Sequence, residues 1–286
     1  MDNKITLSPS RVKRWVRCKR SYYWRYYQKL VRVQKDTPMS LGLVVGEALT
    51  GYYSMSPSPH SRSQELMNKE LQLSLETNQL KFLNTELKEE TKKEWEKIVN
   101  VSRKLLSTYH DWASPKDTFH IIYVEHPQEI LLTPQIHLLA IPDAVVAVDP
   151  ETNMVFEHKV RYRYHSGDFG IDYQSVGSCL VSNSIGTLYN ILEYGKTHFH
   201  REPIMRSEHE LNYFRDIYIR IGEDILSTPA DRLYPMPFKR CSCEYWELCN
   251  AEQSGLDVDS IISELYLKSV HKSEKPKEET DGGEGE

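Results

Sequence analysis

Leu138-Leu139-Ala140-Ile141-Pro142-Asp143-Ala144-Val145-Val146-Ala147-Val148 is followed by Asp149-Pro150-Glu151-Thr152-Asn153 and then by Met154-Val155-Phe156-Glu157-His158-Lys159-Val160. Both flanks are apolar and β-branched and the middle is turn chemistry, so the stretch reads as two strands joined by a turn. Folding the pair about residue 150 or 151 sets Asp143 opposite Glu157 or Lys159. Side chains two apart on a strand share a face, so Glu157 and Lys159 point the same way. Two carboxylates and an ammonium would then converge on one patch. Oxygen ligands of this kind suit Mg²⁺ or Mn²⁺, and the lysine suits a water or phosphate oxygen beside the metal. The plain alternative is a hairpin with ordinary cross-strand charge pairs.

Working outward, 286 residues can bury a substantial core as one elaborated domain or two small ones. The most apolar stretch, residues 130–148, is broken by Pro134, His137, Pro142 and Asp143, which argues against a membrane span. Met1-Asp2-Asn3-Lys4 leads into a polar, basic segment, from which a cytoplasmic protein is expected. Net charge is −5, yet residues 1–35 carry eleven Lys or Arg against the single acid Asp2, while residues 271–286 carry six acids and three lysines. A basic arm on a mildly acidic body fits steering toward phosphates; a solvated basic helix fits the same residues.

Ser8-Pro9 has the chemistry of a helix start, and the spacing predicts a helix from there to about Lys29, with Trp15, Tyr22 and Tyr26 on one face. A second helix is expected over 40–53, a Ser/Pro loop over 54–63, and a charged helical insert over about 61–113 with a break near Thr77-Asn78. Strands are expected at 120–125, 129–132, 137–148, 154–160, 187–193 and 203–206, and helices at 172–184, 207–226 and 257–269. Residues 228–250 look like a loop, and the acidic tail 271–286 is expected to be disordered. Helices, then strands around a site, then helices give an α/β class with a mixed sheet.

Five cysteines in a reducing compartment read as ligands or buried thiols before disulfides. Cys241, Cys243 and Cys249 put three thiols within nine residues, so one loop could wrap a metal centre. A fourth would come from Cys18 or Cys179, and the apolar surroundings of Cys179 favour an inert buried thiol. Zn²⁺, an iron–sulfur cluster and no metal all remain open on spacing alone.

Leu7-Ser8-Pro9-Ser10, then Cys18-Lys19-Arg20-Ser21-Tyr22-Tyr23, resembles the opening of the Cas4/RecB-like PD-(D/E)XK nucleases, above all the phage members and the AddB-type nuclease domain. The resemblance implies a restriction-endonuclease-like core at about 118–206, a central mixed sheet flanked by helices, and a single nuclease domain over 1–270. It implies that Cys18, Cys241, Cys243 and Cys249 hold a [4Fe–4S] cluster as a clasp. Asp143 matches the first metal-binding aspartate, Glu157 the second acid, Lys159 the catalytic lysine and Gln174 the glutamine of the next helix. Asp143, Glu157 and the carbonyl of His158 would then hold the metal. Leu41 through Leu49 resembles the family's glycine-x-x-x-histidine-glutamate segment; Gly46 replaces the histidine, so either Glu47 takes over as a ligand or the metal site is one ligand short. Ser178 stands where a tyrosine is usual, and Cys241-x-Cys243 is one residue short of the usual spacing.

On this footing the chain is expected to be a metal-dependent DNA nuclease, most naturally an exonuclease in DNA processing, recombination or repair, of phage-like or bacterial type. DNA is the expected partner, and a recombinase or helicase partner is left open. Arg11, Arg14, Arg161 and Arg163 are the candidate phosphate contacts, each equally readable as a solvated arginine. Two rivals stand beside it: a catalytically inactive DNA-binding adaptor on a nuclease scaffold, and a zinc-stabilised helical interaction protein.

Overall fold

The computed structural model describes residues 4–33, 37–83, 89–235, 241 and 243–268, in two compact units. The first comprises Met1–Val12 and Lys35–Glu223, the second Lys13–Gln34 and Asp224–Glu286. The expected disordered tail lies outside the described residues.

In the first unit a five-stranded sheet runs β3 (His120–Val124), β6 (Ala144–Ala147), β7 (Asn153–Arg161), β8 (Gly186–Glu193) and β9 (His198–Met205) in spatial order. Only β7 and β8 are parallel. A parallel pair needs a crossover, and α7 (Tyr173–Ser182) lies in the connection. A second sheet orders β1 (Ile5–Leu7), β5 (Ile136–Ala140) and β4 (Gln128–Thr133). The single strand expected over 137–148 is therefore two, in different sheets. The break falls at Ile141-Pro142-Asp143, where proline removes a ladder donor. That interruption delivers Asp143 to the mouth of β6.

The two faces of the larger sheet are covered differently. Ala144, Val146, Met154, Phe156 and Leu192 join the core formed with α3 (Thr37–Met55), α4 (Gln64–Leu83), α5 (Glu89–Leu106) and α6 (Tyr109–Ala113). The opposite face packs against α7. Alternation along β7 thus gives Phe156 and His158 to the α3 side and Glu157 and Lys159 to the α7 side. The helical insert is present, but α4 runs unbroken through Thr77-Asn78. Asn78 is compatible with a helix there because its side-chain amide is satisfied by the carbonyl of Ser74, one turn back, at 2.9 Å. At α7, Gly177 leaves room for the hydroxyl of Tyr218 on α8 (Glu208–Ser227), since a Cβ there would lie 2.6 Å from it. That hydroxyl donates to the Tyr173 carbonyl at 2.7 Å and fixes the start of α7.

The long first helix is interrupted. α1 (Pro9–Arg17) starts as expected, with Ser8 Oγ accepting from the Arg11 amide at 3.2 Å. Cys18 is extended (φ −165°, ψ 112°) and its thiol accepts from the Ser21 amide, capping α2 (Lys19–Tyr22). A π-helical turn, Tyr23–Tyr27, follows. In the second unit β2 (Leu30–Arg32) pairs with β10 (Tyr266–Lys268) around a core of Trp24, Leu30, Tyr245, Leu248, Cys249 and Tyr266. The segment expected as a loop contains α9 (Trp246–Gln253), and α10 (Val258–Leu265) follows. Burial of Leu248 and Cys249 in that core gives α9 the anchor that its sequence alone hides.

Candidate active site

β6 and β7 pair with Ala144 opposite Phe156, a register that carries Asp143 to Glu157 one step further on. Asp143 Oδ2 accepts from the His158 amide at 2.7 Å, tying the aspartate to the next strand. Lys159 Nζ donates to Glu157 Oε1 at 2.8 Å and to Gln174 Oε1 at 3.2 Å. Gln174 Nε2 donates to the same Glu157 Oε1 at 2.6 Å. Asp143, Glu157, Lys159 and Gln174 are therefore brought together. Gln174 arrives from the N-terminus of α7, where Asp172 caps the helix by accepting from the Gln174 amide at 3.1 Å.

The charges are held under tension. Burial, the charge of Glu157 and more distantly Glu125 push Asp143 well above the ordinary carboxylate range, against the His158 amide and Lys159. Burial also raises Glu157, opposed by Lys159 and Gln174. For Lys159 burial works against the ammonium, but the charge and hydrogen bond of Glu157, with Asp172 and Asp143, outweigh it and raise its pKa. Burial, then the charges of Arg201 and Lys159, push His158 down to about 3, so its ring is neutral.

Glu157 is 1 % exposed, and both of its donors use Oε1. Its Oε2 is buried without a hydrogen-bond partner. A buried acceptor left open costs about 1–3 kcal/mol, and a cation is what would recover it. Among the described residues no three His, Cys, Asp or Glu side chains form a metal-holding group. Two carboxylates with a main-chain carbonyl match the habit of Mg²⁺, which takes one or two carboxylates and fills its other positions from water and substrate phosphate. The donor set fits such an ion.

Glu47 is engaged elsewhere: its Oε2 accepts from Ser74 at 3.2 Å and from Asn78, both on α4. Arg161 and Arg163 are exposed, with the Arg161 guanidinium 5.7 Å from the Phe169 ring centroid. Arg11 donates to the Thr6 carbonyl at 3.0 Å. Arg14 is committed within the second unit, paired with Glu244 at 2.7 Å and donating to Ser21 at 3.0 Å. Sequence reading missed Asp172, although an acid just before a helix is a capping signal. It also missed Glu125, whose amide donates to the Asp143 carbonyl at 3.1 Å, a long-range contact without a local signature.

All cysteines are free thiols. Cys179 is buried at 1 % exposure, and burial pushes it up to about 11, as an inert thiol would be. The other four lie in the second unit. Cys241 Sγ is 3.5 Å from Cys243 Sγ; burial and these neighbours push Cys243 up to about 12. Burial also raises Cys249, on which Cys18 and Cys241 both act.

No helix among the described residues is long and apolar enough to cross a membrane. No curated protein matches the chain. Among solved structures it is similar to "Crystal structure of SSO0001", at 13 % identity over 80 % of this chain and 80 % of that one, with a TM-score of 0.32. The family model described as the PD-(D/E)XK nuclease superfamily matches residues 6–250, a span that holds the acid pair, its lysine and every cysteine. The chain belongs to the PD-(D/E)XK nuclease superfamily.

Proposed function

We propose that this chain is a metal-dependent DNA exonuclease of the Cas4/RecB-like type, hydrolysing phosphodiester bonds in DNA processing, recombination or repair. The observation that carries the reading is the buried, partnerless Oε2 of Glu157 on a side chain whose charge disfavours ionisation of the half-buried Asp143, two carboxylates that a divalent cation would stabilise in their ionised forms. Asp143, Glu157 and the His158 carbonyl would hold Mg²⁺ or Mn²⁺. When bound, the ion would supply Lewis-acid polarisation of the phosphate and ease deprotonation of an adjacent water.

The chain's own groups do the rest. Lys159 is a charged donor at the site and would orient the attacking water and stabilise charge that develops on the phosphate. Gln174 bridges Lys159 and Glu157 and keeps both in place. Glu47 stays in this reading as the candidate metal ligand from α3, its Oε2 also accepting from Ser74 and Asn78. Arg161, the last residue of β7, and Arg163 just beyond it are the phosphate contacts this reading favours. Arg11 and Arg14 are secondary, with Arg14 occupied by Glu244.

The same reading includes a structural [4Fe–4S] centre on Cys18, Cys241, Cys243 and Cys249, with Zn²⁺ as the alternative. It rests on the family resemblance and on four thiols that fall in one unit. Thiolate donors suit either metal, and iron with labile sulfide on anaerobically purified protein distinguishes them. Such a centre would close a loop of more than two hundred residues, from Cys18 to Cys241.

End-labelled linear and circular DNA, incubated with wild type and Lys159→Ala with Mn²⁺ or chelator, tests the catalytic part. Release of labelled nucleotides from linear DNA only, in wild type with Mn²⁺, is the expected result. Binding without cleavage under every condition would favour an inactive adaptor instead.

A further inference from the structure

Behind the acid pair, on the opposite face of β7, lies a ladder of polar side chains that no step above uses. His158, Asn190 and Arg201 are successive cross-strand partners on β7, β8 and β9. Asn190 Nδ2 lies 2.8 Å from His158 Nδ1, and Arg201 Nη1 meets Asn190 Oδ1. Arg201 Nη2 donates to Asp117 Oδ1 at 2.6 Å and to the hydroxyls of Tyr53 and Tyr109 at 3.0 Å each. Asp117 is 1 % exposed and also accepts from Tyr53 at 2.7 Å.

The order of donors along this ladder is forced. A guanidinium carries donors and no acceptor, so the Asn190 atom facing it must be the carbonyl oxygen. The amide nitrogen of Asn190 then faces His158, and Nδ1 of that ring must accept. The imidazole proton is thereby placed on Nε2. The ring itself is clamped, stacked on Tyr53 at 5.6 Å between centroids and set edge-on to Phe156 at 4.8 Å. The main chain of the same residue donates to Asp143 Oδ2 at 2.7 Å.

We propose that Asp117, Arg201 and Asn190 fix the proton position of the His158 imidazole and, through that ring, hold the His158 peptide against Asp143. Arg201 and Asn190 are positioning residues for the acid pair. The link to metal binding rests on the nuclease reading; the link to the His158 peptide does not. Buried charge is expensive and an apolar filling of similar shape is often at least as stable, so direction is what this ladder provides beyond cohesion.

The test is Asn190→Asp. The new side chain keeps the shape and still accepts from Arg201, but it presents an oxygen to His158 Nδ1, which must then carry the proton. Imidazole ¹⁵N NMR and amide hydrogen exchange are read on the metal-free protein, and Mn²⁺ affinity by calorimetry. Expected are an Nε2-protonated ring in wild type and transfer of the proton to Nδ1 in Asn190→Asp. The His158 amide should lose protection, and Mn²⁺ binding should weaken by about 10–100-fold, the usual cost of disturbing groups behind metal ligands. Arg201→Lys, which keeps the charge but not the planar fork, should loosen the same amide in a folded protein. A wild-type ring protonated on Nδ1 overturns the proposal. So does unchanged His158 amide protection in both variants. Wild type that fails to bind Mn²⁺ while the NMR and exchange results hold removes the metal site and leaves the ladder standing.

Discussion

Gln174 Nε2 stands 2.6 Å from Glu157 Oε1, joining the N-terminus of α7 to β7. The amide is the only neutral group in this cluster that both donates to Glu157 and accepts from Lys159. Gln174→Ala should leave the fold intact and lower both cleavage rate and metal affinity by about 10–100-fold. Steady-state kinetics with Mn²⁺ titration checks this, and an unaltered rate would mean that the bridge is idle.

Lys159→Ala removes the charged donor at the site. DNA binding, measured by fluorescence anisotropy, should stay within about threefold of wild type, while cleavage falls by about 10²–10³-fold, the scale set by loss of one charge-stabilising donor. Wild-type turnover in this variant would exclude Lys159 from the chemistry.

Asp143 and Glu157 hold their protons more firmly in the folded chain than in the unfolded one, because burial penalises their charged forms. A group with a raised folded pKa contributes stability that is complete below the unfolded value and is lost as pH climbs through the folded one. Relative to a double variant Asp143→Asn, Glu157→Gln, the metal-free protein should therefore lose stability as pH rises from about 4 toward neutrality, a comparison that cancels the opposite trend of His158, whose lowered pKa adds stability over the same window. Saturating Mn²⁺, which prefers the ionised pair, should reverse the trend. Calorimetric scans of both proteins across that window decide it, and a stability difference from the double variant that does not shrink with rising pH in the absence of metal would contradict the assigned shifts.

Asp143→Asn keeps an acceptor for the His158 amide and removes a half-buried carboxylate that the charge of Glu157 opposes. It should raise the melting temperature of the metal-free protein at pH 8, at about 2–4 °C per kcal/mol for a chain of this size, while abolishing cleavage. A gain of stability with loss of activity is the signature of a site strained for function.

Cys249→Ala should give colourless protein without iron and with a less stable second unit, since Cys249 belongs to the core of that unit. Absorbance near the visible and bound iron are the readouts. Full retention of both would remove the cluster assignment.

Much of this was legible in the chain. The acid, the turn and the Glu-x-Lys pattern predict the hairpin and its register, because side-chain alternation along a strand is local. The split of residues 137–148 between two sheets was not read, although Pro142 carried the signal. Cys18 looked like a helical residue because its spacing fits the aromatic stripe; only its extended backbone reveals a cap. Glu125, Asp117 and Arg201 reach their partners across long sequence separations and leave no local pattern. α9 was missed because the cysteines dominate the reading of that stretch, whereas its apolar contacts decide its form.

The alternation along β7 makes chemistry and cohesion share one reading frame. Odd positions face α7 and the acids, even positions face the aromatic interior, and the strand is hemmed by β6 on one side and β8 on the other. A slip by one residue would exchange the two sets wholesale: Phe156 would stand in the place of Glu157 and Glu157 would be driven into the hydrocarbon side. Insertions or deletions between Asn153 and Glu157 are therefore unavailable as small evolutionary steps, and variation in this enzyme has to enter one substitution at a time or through the turn at residues 149–152.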